Sequence, residues 1–268
     1  MKKIDCHCHI INEQIKKEYF ERTDSYAIVM QFLEKFESEH IKSNVFETID
    51  SDERLFLCPC IDISRDIPKQ LEEIEQKIER YHIVGLKIYL TYQEGRADDE
   101  KLMPVYDFAK KHRLTITYHT GSCALTLPSD NDLAGSDARF VKNVAEKYKD
   151  VNFVVAHMDD PRYEDCIKIV HETENMFTDF SGAYEPGTPE GDSIDWAIDT
   201  FKGAIDPFPD VYKKILYGTD FCPPINLSAL EEYDYTIEKI FKREHFEDIY
   251  YKNCLRAFPL LSCYIKGE

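Results

Sequence analysis

The sequence predicts a closed (β/α)8 barrel with its site at the C-terminal ends of the strands. Three observations carry that expectation. Eight short apolar runs alternate with longer amphipathic stretches, the pattern of right-handed βαβ units around a parallel sheet. The 268 residues fit one such barrel, which often runs to ~250 residues as a single domain. No glycine-rich turn follows the first apolar run, where an open, doubly wound nucleotide-binding sheet would place one. One domain spanning residues 1–268 is therefore expected.

The strand candidates are residues 4–10, 26–33, 55–62, 84–90, 114–120, 151–157, 176–180 and 215–221. The second, YAIVMQFL, could equally start a helix. Leu71, Ile74, Ile78 and Tyr81 step by three or four with Glu and Lys between them, which predicts a helix with one apolar face. Phe140, Val141, Val144, Ala145 and Tyr148 predict another, with Ser136 or Asp137 as its N-cap. The stretches 121–136 and 182–193 are rich in turn residues and read as long loops after strands 5 and 7. On a barrel both lie on the C-terminal face, where loops serve binding. No internal repeat, low-complexity tract or linker interrupts the chain.

Charge narrows the partners. The 33 Lys+Arg against 51 Asp+Glu leave a formal charge of −18, which repels nucleic acid and anionic membranes. No apolar run approaches the ~18 residues of a membrane span. The first residues lack the apolar stretch of a secretory signal. Nine cysteines, an odd number without a dense framework of spacings, read as reduced thiols. The expected compartment is the cytoplasm. The expected partners are a small-molecule substrate and further copies of the chain.

The chemistry concentrates at strand ends. Strand 1 reads Asp5-Cys6-His7-Cys8-His9. Period-2 alternation puts Asp5, His7 and His9 on one face, and sends Cys6 and Cys8 to the helix layer as small core residues. Two imidazoles two residues apart can converge on one metal. His119 ends strand 5, His157 strand 6 and Asp220 strand 8. Alternation makes each the last inward residue before its loop, together with Phe153 and Val155 on strand 6. One such histidine is more often a hydrogen-bonded core residue. Four histidines and an aspartate at this level are hard to attribute to packing. His40, His82, His112, His171 and His245 fall in helical or helix-end stretches and read as surface residues. Lys87, on strand 4, points inward with Gly85 and Tyr89. A lysine in a barrel interior is costly unless paired or altered.

This set resembles the metal-dependent amidohydrolase superfamily, in its amidohydrolase-2-like branch. The matching segments are IDCHCHI, TYHTG, VVAHMD and YGTDFCP, and the closing YKNCLRAFPL resembles an ending common in one branch. Cys254 there replaces a small residue. The resemblance implies a divalent metal, Zn2+ or else Mn2+, with one or two ions per chain. In a two-metal layout His7, His9 and Asp220 hold the first ion and His119 and His157 the second. Lys87 bridges them as a carbamate, and Asp220 shuttles the proton. In a one-metal layout His7, His9, His119 and Asp220 are ligands, and His157 is the acid/base. The catalytic residues so implied are Asp220, His157 and Lys87.

The implied reaction is hydrolysis of a C–N or C–O bond, in a cyclic amide, amide or lactone, by a metal-activated hydroxide. The alternative is a one-metal decarboxylase or hydratase. A barrel phosphoesterase usually carries Glu where this chain has Lys87, and the charge argues against DNA. Arg65, Arg96, Arg139 and Arg162 could each hold a substrate carboxylate or pair with a loop acid. Tyr89, Tyr92 and Tyr118 could line the pocket.

Overall fold

A computed structural model describes residues 1–36, 43–122, 135–182, 194–223 and 230–265. All eight expected strands form, each shorter than its apolar run. They are β1 (Ile4–Cys8), β2 (Tyr26–Met30), β3 (Leu55–Cys58), β4 (Gly85–Tyr89), β5 (Thr115–His119), β6 (Phe153–Val155), β7 (Met176–Asp179) and β8 (Ile215–Leu216). Every named pair is parallel, in the sequences β1-β2-β3 and β4 to β8. Short bridges join the two sets. The Lys87 amide donates to the Pro59 carbonyl at 2.9 Å, and the Ile61 amide to the Lys87 carbonyl at 2.9 Å. Across the other seam, Cys6 N donates to Tyr217 O at 2.9 Å and His9 N to Phe221 O at 2.8 Å. These seams bring strand 8 beside strand 1, as in the (β/α)8 arrangement.

The described helices are α1 (Glu13–Arg22), α2 (Val45–Asp50), α3 (Ile67–Glu75), α4 (Leu90–Gln93), α5 (Met103–His112), α6 (Ala138–Ala145), α7 (Tyr163–Glu172), α8 (Ile194–Ile205), α9 (Leu230–Ile240), α10 (Asn253–Ala257) and α11 (Leu261–Tyr264). Asp137 caps α6, accepting from Arg139 N at 2.8 Å. That satisfies one of the amides left open at a helix start. Asp66 does the same for α3 through Lys69 N.

Both periodic stretches overrun their helices. Ile78 and Tyr81 lie past the end of α3, in hydrogen-bonded turns that close at His82 with φ +44°. Tyr148 lies past α6. All three still pack on the core between helices and sheet. An apolar period reports which face is buried, and a turn can bury it as well as a helix.

The barrel interior is a separate apolar cluster. Ile4, Ile28, Met30, Phe56, Cys58, Val84, Val154 and Leu216 meet Cys254, Ala257, Phe258 and Leu261 from α10, α11 and the turn between them. This closing segment seals the N-terminal end of the strands. Thr115 Oγ1, at the start of β5, donates to Ala257 O at 2.6 Å. A Cβ on Gly85, at the start of β4, would lie 2.6 Å from Thr115 O and 3.2 Å from the Phe258 ring. Burying Phe258 contributes roughly 2–3 kcal/mol.

Two facings differ from strict alternation. The β1–β2 register runs Asp5↔Ala27 and then Cys8↔Val29, one extra residue on β1. Such a bulge reverses the facing of everything beyond it. Cys6 therefore packs in the interior cluster, and only Cys8 joins the helix layer. Asp5 turns to the helix side, under Tyr19 of α1. On β6, Val154 points inward, while Phe153 and Val155 face the helices. His82, His112 and His245 are half-buried, against Tyr264, Phe108 and Tyr212 respectively; His171 is exposed. His40 and the bulk of both long loops lie outside the described residues. The eight described cysteines are free thiols. No helix among the described residues is long and apolar enough to cross a membrane.

Candidate metal centre

His7 and His9 leave the β1 bulge facing the C-terminal mouth, both nearly fully buried. His9 Nδ1 lies 2.8 Å from the Met30 carbonyl. A carbonyl only accepts, so Nδ1 carries the proton and Nε2 holds a lone pair. Phe32 stacks on the ring at 4.1 Å and holds its plane. That lone pair points at Asp220, with Nε2 3.2 Å from Oδ1. The same oxygen is 3.5 Å from His7 Nε2.

Asp220 reaches this spot through a left-handed backbone, φ +53°. Its amide is held by the His7 carbonyl at 2.7 Å. Gly182 leaves the space: a Cβ there would lie 2.6 Å from Asp220 Oδ2 and 3.2 Å from His157 Nδ1. Asp5 ties the seam from behind. It accepts from Thr219 Oγ1 at 2.6 Å, Tyr19 OH at 3.0 Å, and the His7 and Thr219 amides at 3.1 Å each. Burial nevertheless pushes its carboxyl up to about 7.

On the other side of the mouth stand His119 and His157. His119 Nε2 lies 2.9 Å from the Ser122 carbonyl, and His157 Nδ1 2.5 Å from the Ser181 carbonyl. His119 Nδ1 and His157 Nε2 face each other at 3.1 Å. His157 arrives there at φ +59°, past the end of β6, rather than by strand alternation. Lys87 sits on the floor, fully buried, with Nζ 3.3 Å from His7 Nε2.

Burial sets the electrostatics. It drives the His7 imidazole well below its ordinary range, with the Lys87 charge adding to the effect. His119 is lowered for the same first reason, and then by His157 and Lys87. Burial pushes Lys87 down to about 8, against the pull of Asp179 and Asp220. Burial also opposes ionisation of Asp220. The surrounding imidazoles, His9 first and then His7 and His157, outweigh that and hold the carboxyl well below the usual range.

The donor set fits a divalent cation. One ring nitrogen each of His7 and His9 and an Asp220 oxygen lie within 4.8 Å of one another, and both Nε2 atoms lie within 3.5 Å of Asp220 Oδ1. Ligands ~2.0–2.2 Å from one ion sit about 3–3.5 Å apart. An Nε2 lone pair beside a carboxylate oxygen is an arrangement that a shared cation stabilises. Neutral imidazoles and an ionised carboxylate are the forms that ligate.

Other expectations divide. Tyr89 and Tyr92 flank His119, with ring centroids at 6.0 and 4.9 Å. Tyr118 does not line the pocket: it points into the helix layer and bonds Tyr106 OH at 2.5 Å. Arg65 pairs with Glu34, Arg96 with Asp98, Arg139 with Asp137, and Arg162 with Asp159. Each serves a loop acid. Cys222 is buried just beyond Asp220.

The sequence reading passed over Asp179 and Ser181. Asp179 is fully buried at the end of β7, with Oδ2 3.5 Å from His7 Nδ1. Ser181 Oγ lies 3.2 Å from the same nitrogen. The signal was present in MFTDF, an acid closing an apolar run as Asp220 does in ILYGTDF.

The family model described as amidohydrolase matches residues 4–260. No curated protein matches the chain. Among solved structures, an amidohydrolase from Burkholderia multivorans with bound zinc superposes at a TM-score of 0.69, with 12% identity over 97% of this chain and 99% of that one. A TIM-barrel protein from Bordetella bronchiseptica gives 0.69, with 14% identity over 97% and 99%. The 2,6-dihydroxybenzoate decarboxylase from Rhizobium gives 0.64, with 12% identity over 98% and 100%. At these identities the likeness is one of fold.

Proposed function

The chain belongs to the amidohydrolase family, and from that premise we propose that it is a metal-dependent hydrolase acting on a C–N or C–O bond of a small molecule. A cyclic amide, amide or lactone is the substrate class. One observation carries this reading. His9 is fixed by Met30 in the tautomer whose free Nε2 meets Asp220 at 3.2 Å, with His7 beside it.

In this reading His7, His9 and Asp220 hold a divalent cation, Zn2+ or Mn2+. His119 and His157 offer a second pair of nitrogens, and a carboxylated Lys87 completes it. A bound cation supplies Lewis acidity, which polarises a carbonyl and acidifies water. The residues do the rest. Asp220, held ionised, accepts the proton of the attacking water and returns it to the leaving nitrogen or oxygen. In a one-metal layout the His157 Nε2 is left free and serves as the acid/base. A lysine lowered to about 8 keeps a neutral fraction at physiological pH, the form that reacts with CO2. Phe32, Tyr89 and Tyr92 give the mouth an aromatic wall.

A second reading, a decarboxylase, is favoured by Lys87 itself. An unmodified ammonium on the floor, 3.3 Å from His7, would hold a substrate carboxylate. The metal-loaded protein assayed on lactones and cyclic amides, and on carboxylated aromatics with CO2 detection, separates the two. Hydrolysis without CO2 release supports the first reading. CO2 release alone overturns it.

A further inference from the structure

We propose that Asp179, acting with Ser181, is a positioning residue that fixes the tautomers of two site histidines from different strands, His7 and His157. This rests on the metal-dependent reading above and adds a component it does not contain.

Asp179 Oδ1 is saturated. It accepts from His157 N at 3.2 Å, Ser181 N at 3.0 Å and Ser181 Oγ at 2.5 Å. Ser181 has one hydroxyl proton, and Asp179 takes it, so Oγ can only accept from others. His7 Nδ1 faces that oxygen at 3.2 Å and Asp179 Oδ2 at 3.5 Å. Two acceptors on one side of the ring place the proton on Nδ1. The His7 Nε2 lone pair is thereby aimed at the mouth, toward Lys87 and Asp220. The Ser181 carbonyl, 2.5 Å from His157 Nδ1, imposes the same tautomer on His157. Asp179 also holds the His157 amide where the chain passes through φ +59°, a conformation that persists only when surroundings enforce it. One hook at the end of β7 thus orients nitrogens delivered by β1 and β6.

His7, His157 and Asp179 also lie close enough to be ligands themselves. The geometry argues otherwise. Both Nδ1 atoms face acceptors and so carry protons, and Asp179 Oδ2 points to the Cys6 thiol at 3.8 Å. Outer partners of this kind commonly set metal affinity by 10–100-fold.

Asp179→Asn tests the proposal. The three donors on Oδ1 retain the amide oxygen, so the new NH2 replaces Oδ2 and meets His7 Nδ1–H, donor against donor. His7 must then move its proton to Nε2. Two-bond 1H–15N correlations on the metal-free protein read this directly, with no substrate or metal. The wild type should show His7 and His157 protonated on Nδ1, and Asp179→Asn should show His7 protonated mainly on Nε2. Zn2+ affinity by chelator competition should fall 10–100-fold, with the circular dichroism spectrum unchanged. Ser181→Ala, which removes one acceptor and keeps the carbonyl, should give His7 a tautomer mixture and serves if Asp179→Asn does not fold. An unchanged His7 tautomer in folded variants overturns the proposal. So does loss of Zn2+ with His7 still protonated on Nδ1, which would make Asp179 a ligand. A wild type that takes up no metal, with the tautomer shift intact, would fail the metal-dependent reading and leave this one standing.

Discussion

His119 Nδ1 and His157 Nε2 face each other at 3.1 Å while the far nitrogen of each ring is committed to a backbone carbonyl. Two lone pairs so placed repel unless a cation lies between them. The spacing suits two nitrogens on one ion. Metal-free protein titrated with Mn2+ or Zn2+ should therefore take up two equivalents, and His119→Ala one. A wild type that saturates at one equivalent contradicts a second centre here.

Asp220→Asn separates shape from proton transfer. Asn tolerates the left-handed backbone that Asp220 adopts at φ +53°, and it keeps one coordinating oxygen. The variant should fold, retain much of its metal and lose at least ~10²-fold in kcat. A metal-loaded variant with near wild-type turnover rules out the shuttle.

Gly182→Ala attacks the same carboxylate from the opposite side. Its φ is +62°, and a Cβ would lie 2.6 Å from Asp220 Oδ2. Something must shift, and Asp220 is the nearest group. Zn2+ affinity should fall at least ~10-fold, as for loss of a supporting contact. Unchanged affinity would show that Asp220 does not need this space.

Lys87 imposes a pH dependence. Its folded value of about 8 lies below the ordinary 10.5, so the folded chain binds fewer protons between those values. The ammonium therefore destabilises the metal-free protein below pH ~8, by on the order of 3 kcal/mol. That cost disappears as pH rises from about 8 to 10.5. Lys87→Met should be more stable than wild type at pH 7 in urea unfolding, with the gap closing by pH ~10.5. A gap that is constant with pH contradicts the charge argument.

Much of this was legible in the sequence because polar strand ends stand out against apolar runs. His7, His9, His119, His157 and Asp220 all reach the mouth. The facing of Cys6 was not legible, because the β1 bulge depends on how β1 pairs with β2 rather than on β1 alone. Nor was the route of His157, whose positive φ is imposed by bonds from β7. Asp179 was marked by its place at the end of an apolar run, but its role was not, because its partners His7 and His157 are distant in sequence. Helix ends were misjudged at Ile78 and Tyr148, where turns bury the apolar face that a helix had been expected to bury.

The central claim is that His7, His9 and Asp220 hold one divalent cation. Anomalous diffraction from crystals of Zn2+-loaded protein tests it most directly. The account predicts a zinc peak about 2.0–2.2 Å from His7 Nε2, His9 Nε2 and an Asp220 oxygen. Zinc bound at full occupancy elsewhere, with these three groups uncoordinated, would contradict it.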